Sequence, residues 1–466
     1  MTPSRRLRTL LIASLAALVI PTVTAAAAER PTAHASYVPG EVIVRYERSA
    51  GKAARARVQR ATGVGNPRVF APRTRALTIK DGQSVAETLR ELRARPEVAT
   101  AAPNTIASAS SYIPSDPGNA GVAGGWQHLQ WNFLAQTGVN APDAWQRMID
   151  VGRPGGQGVT VAVLDTGVAY SDRGRCPRSA ESSSRRTITC RRSPDFHDGD
   201  FVSGYDFVDD DARPNDENGH GTHVAGTIGE GTGDNVGVTG LAYGARVMPV
   251  RVLDRLGEGD SVAISAGIRW AAAHGADVIN LSFEFGTQVT RAEIPDILAA
   301  LRYARRKGVL VVGASGNEGG RSIAYPARAD EVLSVGAATK RNCLAWYSNT
   351  GATLDLVAPG GGRDARIPGD ANCQPDRGSA GSIYQMTFDG SLSRFGLPGR
   401  YTGTSMAAPH VSAAAALVIA SGVIGPNPSP EAIEERLKVT ARDLGPAGPD
   451  FRYGYGLLDA ARAVTP

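Results

Sequence analysis

Three side chains in this sequence have the types needed to turn a hydroxyl against a carbonyl. Ser405 lies in GTSMAAPHV, at a Gly-Thr turn leading into the apolar run 407–420. His220 lies in NGHGTHVAGT, where a small-residue helix begins. Asp165 ends the run VTVAVLD and precedes Thr166 and Gly167. A serine hydroxyl is a weak nucleophile until a neighbouring base takes its proton. A neutral imidazole can do so near neutral pH. A carboxylate behind the ring fixes its tautomer and stabilises its cation, and a helix N-terminus favours the negative charge that develops. Each residue also has an ordinary reading. An Asp at a strand end often caps a turn, and a Ser ahead of a helix is normally its N-cap. His220 and His223 stand at i, i+3, which a metal pair would also use, although no HExxH pattern is present.

The surrounding sequence must bring these residues together. From about residue 117 short β-branched runs recur at 159–164, 246–250, 277–281, 309–313, 332–335 and 354–357. Helical stretches lie between several of them, including 261–274 and 294–307. This alternation predicts an α/β fold, a mostly parallel sheet with helices on both faces. In such a sheet the reactive groups gather beyond the carboxyl ends of the strands. Asp165 is placed there by its strand.

The motifs VLDTG, NGHGTHVAG and GTSMAAPH, in the order Asp, His, Ser on a parallel α/β sheet, are specific in combination. With them the chain closely resembles the subtilisin-like serine proteases, in particular the thermitase-like secreted branch. The resemblance covers the large domain, 116–466. It implies a subtilisin-like fold and a secreted, extracellular serine endopeptidase. In that chemistry Ser405 attacks the scissile carbonyl, His220 relays the proton and Asp165 orients the ring. Asn317, in ASGNEG, matches the family's oxyanion-hole Asn, with the Ser405 N–H as second donor. Otherwise a Gly-flanked Asn is a routine turn residue.

The family binds substrate backbone as an added strand, and Ser282 and Phe283 correspond to that edge. Gly316 and Ala324 match positions lining the first specificity pocket, where small residues imply room for a large side chain. Glu318 at the rim would favour basic ones. The chain departs from the pattern at Glu284 and Phe285, where the family usually has two glycines. That departure motivates a second reading as a narrow processing protease. A binding protein on an inactive protease scaffold would need a missing catalytic member, and none is missing.

The resemblance also implies structural calcium. Asp206, Asp209, Asp211 and Asn215 sit in YDFVDDDARPND with the spacing of a thermitase calcium loop. A second site would use Asp116, Asp195 and Asp234 with carbonyls of Gly231, Val236 and Val238; Asp172 is the rival to Asp195. Hard oxygen donors at close spacing suit Ca²⁺. An acidic surface loop is otherwise usually just solvated. Four cysteines, Cys176, Cys190, Cys343 and Cys373, permit three pairings. Nearness along the chain favours Cys176–Cys190 and Cys343–Cys373; of two insertions, 170–192 carries the first pair and 361–400 carries Cys373.

A small unit precedes the large domain. Residues 37–107 alternate strand and helix signals as β-α-β-α-β, with one more strand near 67–70, as in a ferredoxin-like α+β fold. Ser84 and Glu87 form a capping box. The unit resembles the family's propeptide, an intramolecular chaperone and inhibitor, so the protein reads as a zymogen. It would cut itself between about Asn104 and Asp116. Residues 1–28 read as a secretory signal, with Arg5, Arg6 and Arg8 ahead of the apolar run 10–20 and small residues after it. That run is short for a membrane anchor.

The whole chain has 466 residues and a formal charge of +5. The surplus is uneven. Residues 1–110 hold 17 basic against 7 acidic residues, leaving 33 against 38 in the rest. The basic balance therefore belongs to the precursor, and gives no ground for an anionic partner. A basic-aromatic nucleic-acid surface is not apparent in the large domain. The expected partners are protein or peptide substrates and the chain's own propeptide, acting on a monomer.

Overall fold

The computed structural model describes residues 37–80, 83–105, 111–177 and 187–466. The signal reading falls outside them. The chain divides into two compact units, Met1–Ser110 and Ser111–Pro466.

The first unit runs β1 (Tyr37–Tyr46), α1 (Lys52–Ala61), β2 (Val64–Ala71), β3 (Thr74–Ile79), α2 (Val85–Arg93) and β4 (Val98–Thr105). All its strand pairs are antiparallel, in the order β2-β3-β1-β4. This is the ferredoxin-like arrangement, and the extra strand expected near 67–70 forms within β2. Alternation in β1 buries Val42, Val44 and Tyr46 on one face. Leu89 and Leu92 of α2 pack onto that face. Ser84 caps α2, its hydroxyl accepting the Glu87 N–H at 3.2 Å.

The second unit is built on a seven-stranded sheet. Its strands are β5 (Thr160–Asp165), β8 (Tyr205–Asp206), β9 (Arg246–Arg251), β10 (Val278–Leu281), β11 (Leu310–Ala314), β12 (Val332–Ala338) and β13 (Leu356–Pro359). The order is β13-β12-β11-β10-β5-β9-β8, and every pair is parallel. Between β5 and β10 the strand order reverses, which opens a crevice at the carboxyl edge. The central strands are buried along their whole length, which requires cover on both faces. The strand expected at 354–357 begins later, because the Leu354 N–H closes a turn on the Gly351 carbonyl at 3.1 Å.

Helices α5 (Ser261–Ala273) and α6 (Pro295–Arg306) cover one face, around Ile264, Ile268, Ile297 and Leu301. Asp260 caps α5, accepting from the Val262 and Ala263 N–H groups. The other face is packed by α3 (Ala141–Asp150), α4 (His220–Gly229) and α7 (Thr404–Ser421). The Ala-rich α7 is long and apolar enough to cross a membrane, but 78% of it is buried inside the fold. Its small side chains let it lie close against the sheet. Disulfides join Cys176 to Cys190 and Cys343 to Cys373. The first staples a short hairpin of β6 (Arg175–Pro177) and β7 (Thr187–Thr189).

Candidate active site

Asp165 is the last residue of β5 and is fully buried. Its Oδ1 accepts from the Thr166 N–H at 2.7 Å and from His220 Nδ1 at 2.8 Å. With Nδ1 bearing the proton, Nε2 is presented as a base. Burial works against the His220 cation, but the Asp165 charge and hydrogen bond outweigh it, and the pKa is raised above 6.5.

The contact is built by a residue that the sequence reading passed over. Asp216 is buried, and accepts from Thr166 Oγ1, the Asn218 and Gly219 N–H groups, and both the N–H and Oγ1 of Thr222, at 2.5–2.9 Å. Thr166 Oγ1 in turn accepts the Gly221 N–H at 3.0 Å. The end of β5 and the start of α4 are thereby clamped together. Gly221 has no alternative there, because a Cβ would strike the Gly167 carbonyl and sit 3.1 Å from Asp165 Cβ.

His223 is not part of a metal pair with His220. Its Nε2 meets the Ile383 carbonyl at 3.1 Å and its ring stacks on Tyr401 at 4.1 Å. Burial lowers its pKa to about 3, so it is neutral packing. The second insertion supplies Ile383, and also Thr387, whose hydroxyl donates to the Gly219 carbonyl at 2.6 Å. That segment buttresses the start of α4.

Ser405 is the second residue of α7, and the cap position belongs to Gly403. The N-cap reading of Ser405 therefore does not apply. The Ser405 carbonyl accepts from Ser282 Oγ at 2.8 Å, just beyond β10. Ser282 Oγ is held by Asn280 Nδ2 at 2.8 Å, and Asn280 Oδ1 by Ser412 Oγ at 2.8 Å. This buried relay ties the end of β10 to the first turns of α7. No hydrogen bond joins His220 to Ser405 among the described residues.

Asn317 follows β11 and leans on the same helix. Its Oδ1 accepts the Thr404 N–H at 2.9 Å and Thr404 Oγ1 at 3.1 Å, which leaves Nδ2 as the outward donor. That donor is engaged. Glu284 Oε1 receives both Asn317 Nδ2 and the Asn317 N–H, each at 3.2 Å. Glu284 stands over Gly316, which has φ +111° and no room for a Cβ beneath the carboxylate and Asn349. Ala324 is buried beside this turn, its N–H on the Ser315 carbonyl at 2.9 Å. The Phe283 ring packs onto the α5/α6 face. Thus Asp165, Ser282, Gly316, Asn317 and Ser405 all lie at one edge of the sheet.

The two carboxylate groups expected to hold calcium differ. In the acidic loop the positive charge is already present. Arg251 is buried and donates to Asp206 at 2.8 Å, to Asp209 at 2.7 Å and to Glu217 at 3.3 Å. Asp211 pairs with Arg213 at 2.7 Å, and Asn215 Nδ2 bonds the Arg173 carbonyl at 3.3 Å. The loop as folded does not fit the calcium expected at Asp206, Asp209, Asp211 and Asn215, because Arg251 and Arg213 already take the carboxylates of Asp206, Asp209 and Asp211. Arg251 lies more than thirty residues along the chain from this loop, so the loop's own spacing gives no sign of it.

Around Asp116, Asp195 and Asp234 no guanidinium plays that part among the described residues, although His197 Nε2 stands 3.1 Å from Asp234 Oδ2. Asp116 accepts the Gly233 N–H at 2.8 Å and the Asp234 N–H at 3.2 Å, and Asp195 accepts the Val238 N–H at 2.9 Å. A fourth carboxylate, Glu230, was missed in the sequence and accepts the Met386 N–H at 3.0 Å. Oδ1 of Asp195 and Oε2 of Glu230 are buried without hydrogen-bond partners. Burial and the neighbouring carboxylates push Asp116 up to about 6 and Asp195 up to about 9. Among the described residues no three acidic, imidazole or thiol groups already close on a common point. Desolvated, mutually repelling oxygens nevertheless make a donor set that fits a hard divalent cation. The rival Asp172 is exposed and bonds the Arg192 N–H instead, at 3.1 Å.

Comparison with known proteins agrees with this geometry. Residues 156–456 match the subtilase family, and residues 23–104 match the fervidolysin N-terminal prodomain. A thermophilic serine proteinase of Bacillus sp. (strain AK1) is 32% identical over 92% of this chain and 88% of its own. Subtilisin Savinase of Lederbergia lenta is 37% identical over 72% of this chain and 99% of its own. A solved protease of Pseudoalteromonas arctica superposes with a TM-score of 0.57 at 30% identity, covering 76% of this chain and 99% of that one. The chain is therefore a subtilisin-like serine protease with an N-terminal prodomain, and it belongs to the subtilase family.

Proposed function

We propose that this chain is a secreted, self-processing serine endopeptidase that works through Ser405, His220 and Asp165. The observation that carries the reading is the 2.8 Å bond from His220 Nδ1 to buried Asp165, at the sheet edge where α7 presents Ser405. His220 Nε2 takes the Ser405 proton as Oγ attacks the scissile carbonyl, and later gives it to the leaving amine. Asp165 holds the ring through Nδ1 and stabilises the imidazolium. The tetrahedral oxyanion is received by the Ser405 N–H and by Asn317 Nδ2 once that amide is free. Water then releases the acyl group by the same proton path. Serine–histidine bonds are often long before substrate arrives, so their absence in the free chain fits this scheme.

The prodomain is read as the inhibitor and folding aid of its own catalytic unit, removed by a cut between about Asn104 and Asp116. Extracellular relatives, such as the extracellular basic protease of Dichelobacter nodosus, support export. Asp116, Asp195 and Asp234, with Glu230 beside them, would hold one structural calcium, which would offset their mutual repulsion. The test is the Ser405→Ala chain, refolded alone. It should remain full-length and inactive, and processing at the normal position would refute self-cleavage.

A further inference from the structure

The cleft beside Ser405 contains an anionic group that the reaction scheme does not use. Glu284 follows Ser282, which holds the Ser405 carbonyl, and its carboxylate reaches across to the Gly316–Asn317 turn. Both segments bond the first turn of α7, at Ser405 and at Thr404, so a substrate side chain beside the scissile bond would pass into the slot between them. Within the slot Glu284 Oε1 has only amide partners, both on Asn317, and Oε2 is buried with no partner at all. A second carboxylate, Glu318, stands on the same turn and is held by Asn349 Nδ2 at 2.6 Å. Among the described residues neither carboxylate is paired with a Lys, Arg or His. Burial, together with the charge of Glu318, raises the Glu284 pKa above its ordinary value. A desolvated carboxylate of this kind is stabilised by a cation, and here the chain does not provide one.

We propose that Glu284 makes this protease select a Lys or Arg side chain immediately before the scissile bond, and that the same contact releases Asn317 Nδ2 to the oxyanion. The proposal rests on the serine-endopeptidase reading and adds its substrate class. Without a cation, Glu284 keeps the Asn317 amide to itself. An arriving guanidinium or ammonium offers the carboxylate a stronger, charge-assisted partner. The amide is then free to turn to the developing charge. An apolar side chain gives Glu284 no reason to let go, so it is penalised in turnover as well as in binding.

The test uses the mature enzyme and two peptides that differ only in Arg or Phe before the cleaved bond. Wild type should cleave the Arg peptide with the higher kcat/KM. Glu284→Gln keeps the shape and removes the charge. It should lower the Arg-to-Phe ratio by about 10- to 100-fold, the range for losing a hydrogen bond to a charged group. Glu284→Gly, which removes the contact with Asn317, should shift the ratio in the same direction and raise kcat for Phe relative to Arg. A purely structural role would lower both peptides alike. Cleavage that favours Phe in the wild type, or a ratio within about twofold of wild type in Glu284→Gln, overturns the proposal alone. Failure to cut any peptide, with no labelling by a serine-directed organophosphorus reagent, overturns the endopeptidase reading and this proposal with it.

Discussion

Replacing Arg251 by Met should destabilise the catalytic unit severely. The Arg251 side chain is 4% exposed and its main partner Asp206 is 2% exposed, whereas Glu217 is 16% and Asp209 62% exposed. The outer pair with Asp209 contributes little, as surface ion pairs do. The cost comes from Asp206, which would be left as a buried carboxylate without its counter-charge. Breaking a buried pair on one side costs about 3–5 kcal/mol. That corresponds to roughly 150- to 5,000-fold in the unfolding equilibrium. The assay is urea unfolding of full-length chains that also carry Ser405→Ala, so that self-digestion does not intervene. Adding Asp206→Asn to Arg251→Met removes the stranded charge and should recover most of the loss. An Arg251→Met chain within about 0.5 kcal/mol of its parent, well below that range, would refute the idea that the guanidinium serves as the loop's cation.

Three further outcomes follow from the same geometry. The His220 pKa is raised, and only the neutral ring can act as base; kcat/KM should therefore fall as pH drops through a value above 6.5, and an inflection well below it would contradict the Asp165 contact. Asn317→Ala should reduce kcat by roughly 10²–10³ with a small change in KM, as expected for a donor that acts on the transition state; an unchanged kcat would remove Asn317 from the oxyanion site. Calcium should lengthen the thermal half-life of the mature enzyme relative to EDTA, and Asp195→Asn should abolish that difference; equal half-lives for wild type in both conditions would leave the Asp116, Asp195 and Asp234 group without a metal.

Local signals made much of this molecule legible in advance. Asp165, His220 and Ser405 each lie in a motif whose neighbours set the local backbone, and runs such as TVAVLD could only be buried parallel strands. The capping residue Ser84 and the ferredoxin-like unit were readable for the same reason. The unread parts depend on contacts between distant segments. Asp216 becomes the clamp of the site only when β5 returns beside α4, and Arg251 reaches the acidic loop only because β9 pairs with β8. Glu230 joins the carboxylate group through folding, not through spacing. Glu284 was visible as an oddity in the sequence, but its hold on Asn317 required the turn after β11 to lie opposite it. The insertion around Ile383 and Thr387 carries no motif, although it supports the helix that carries His220.

The central claim is that Ser405 is a nucleophile activated by His220. A serine-directed organophosphorus reagent, applied to the processed enzyme and mapped by peptide mass spectrometry, tests it most directly. The account predicts one modified residue per chain, Ser405, with labelling lost on denaturation and strongly slowed in His220→Ala. Stoichiometric labelling at another serine, or labelling of Ser405 at the same rate without His220, would contradict it.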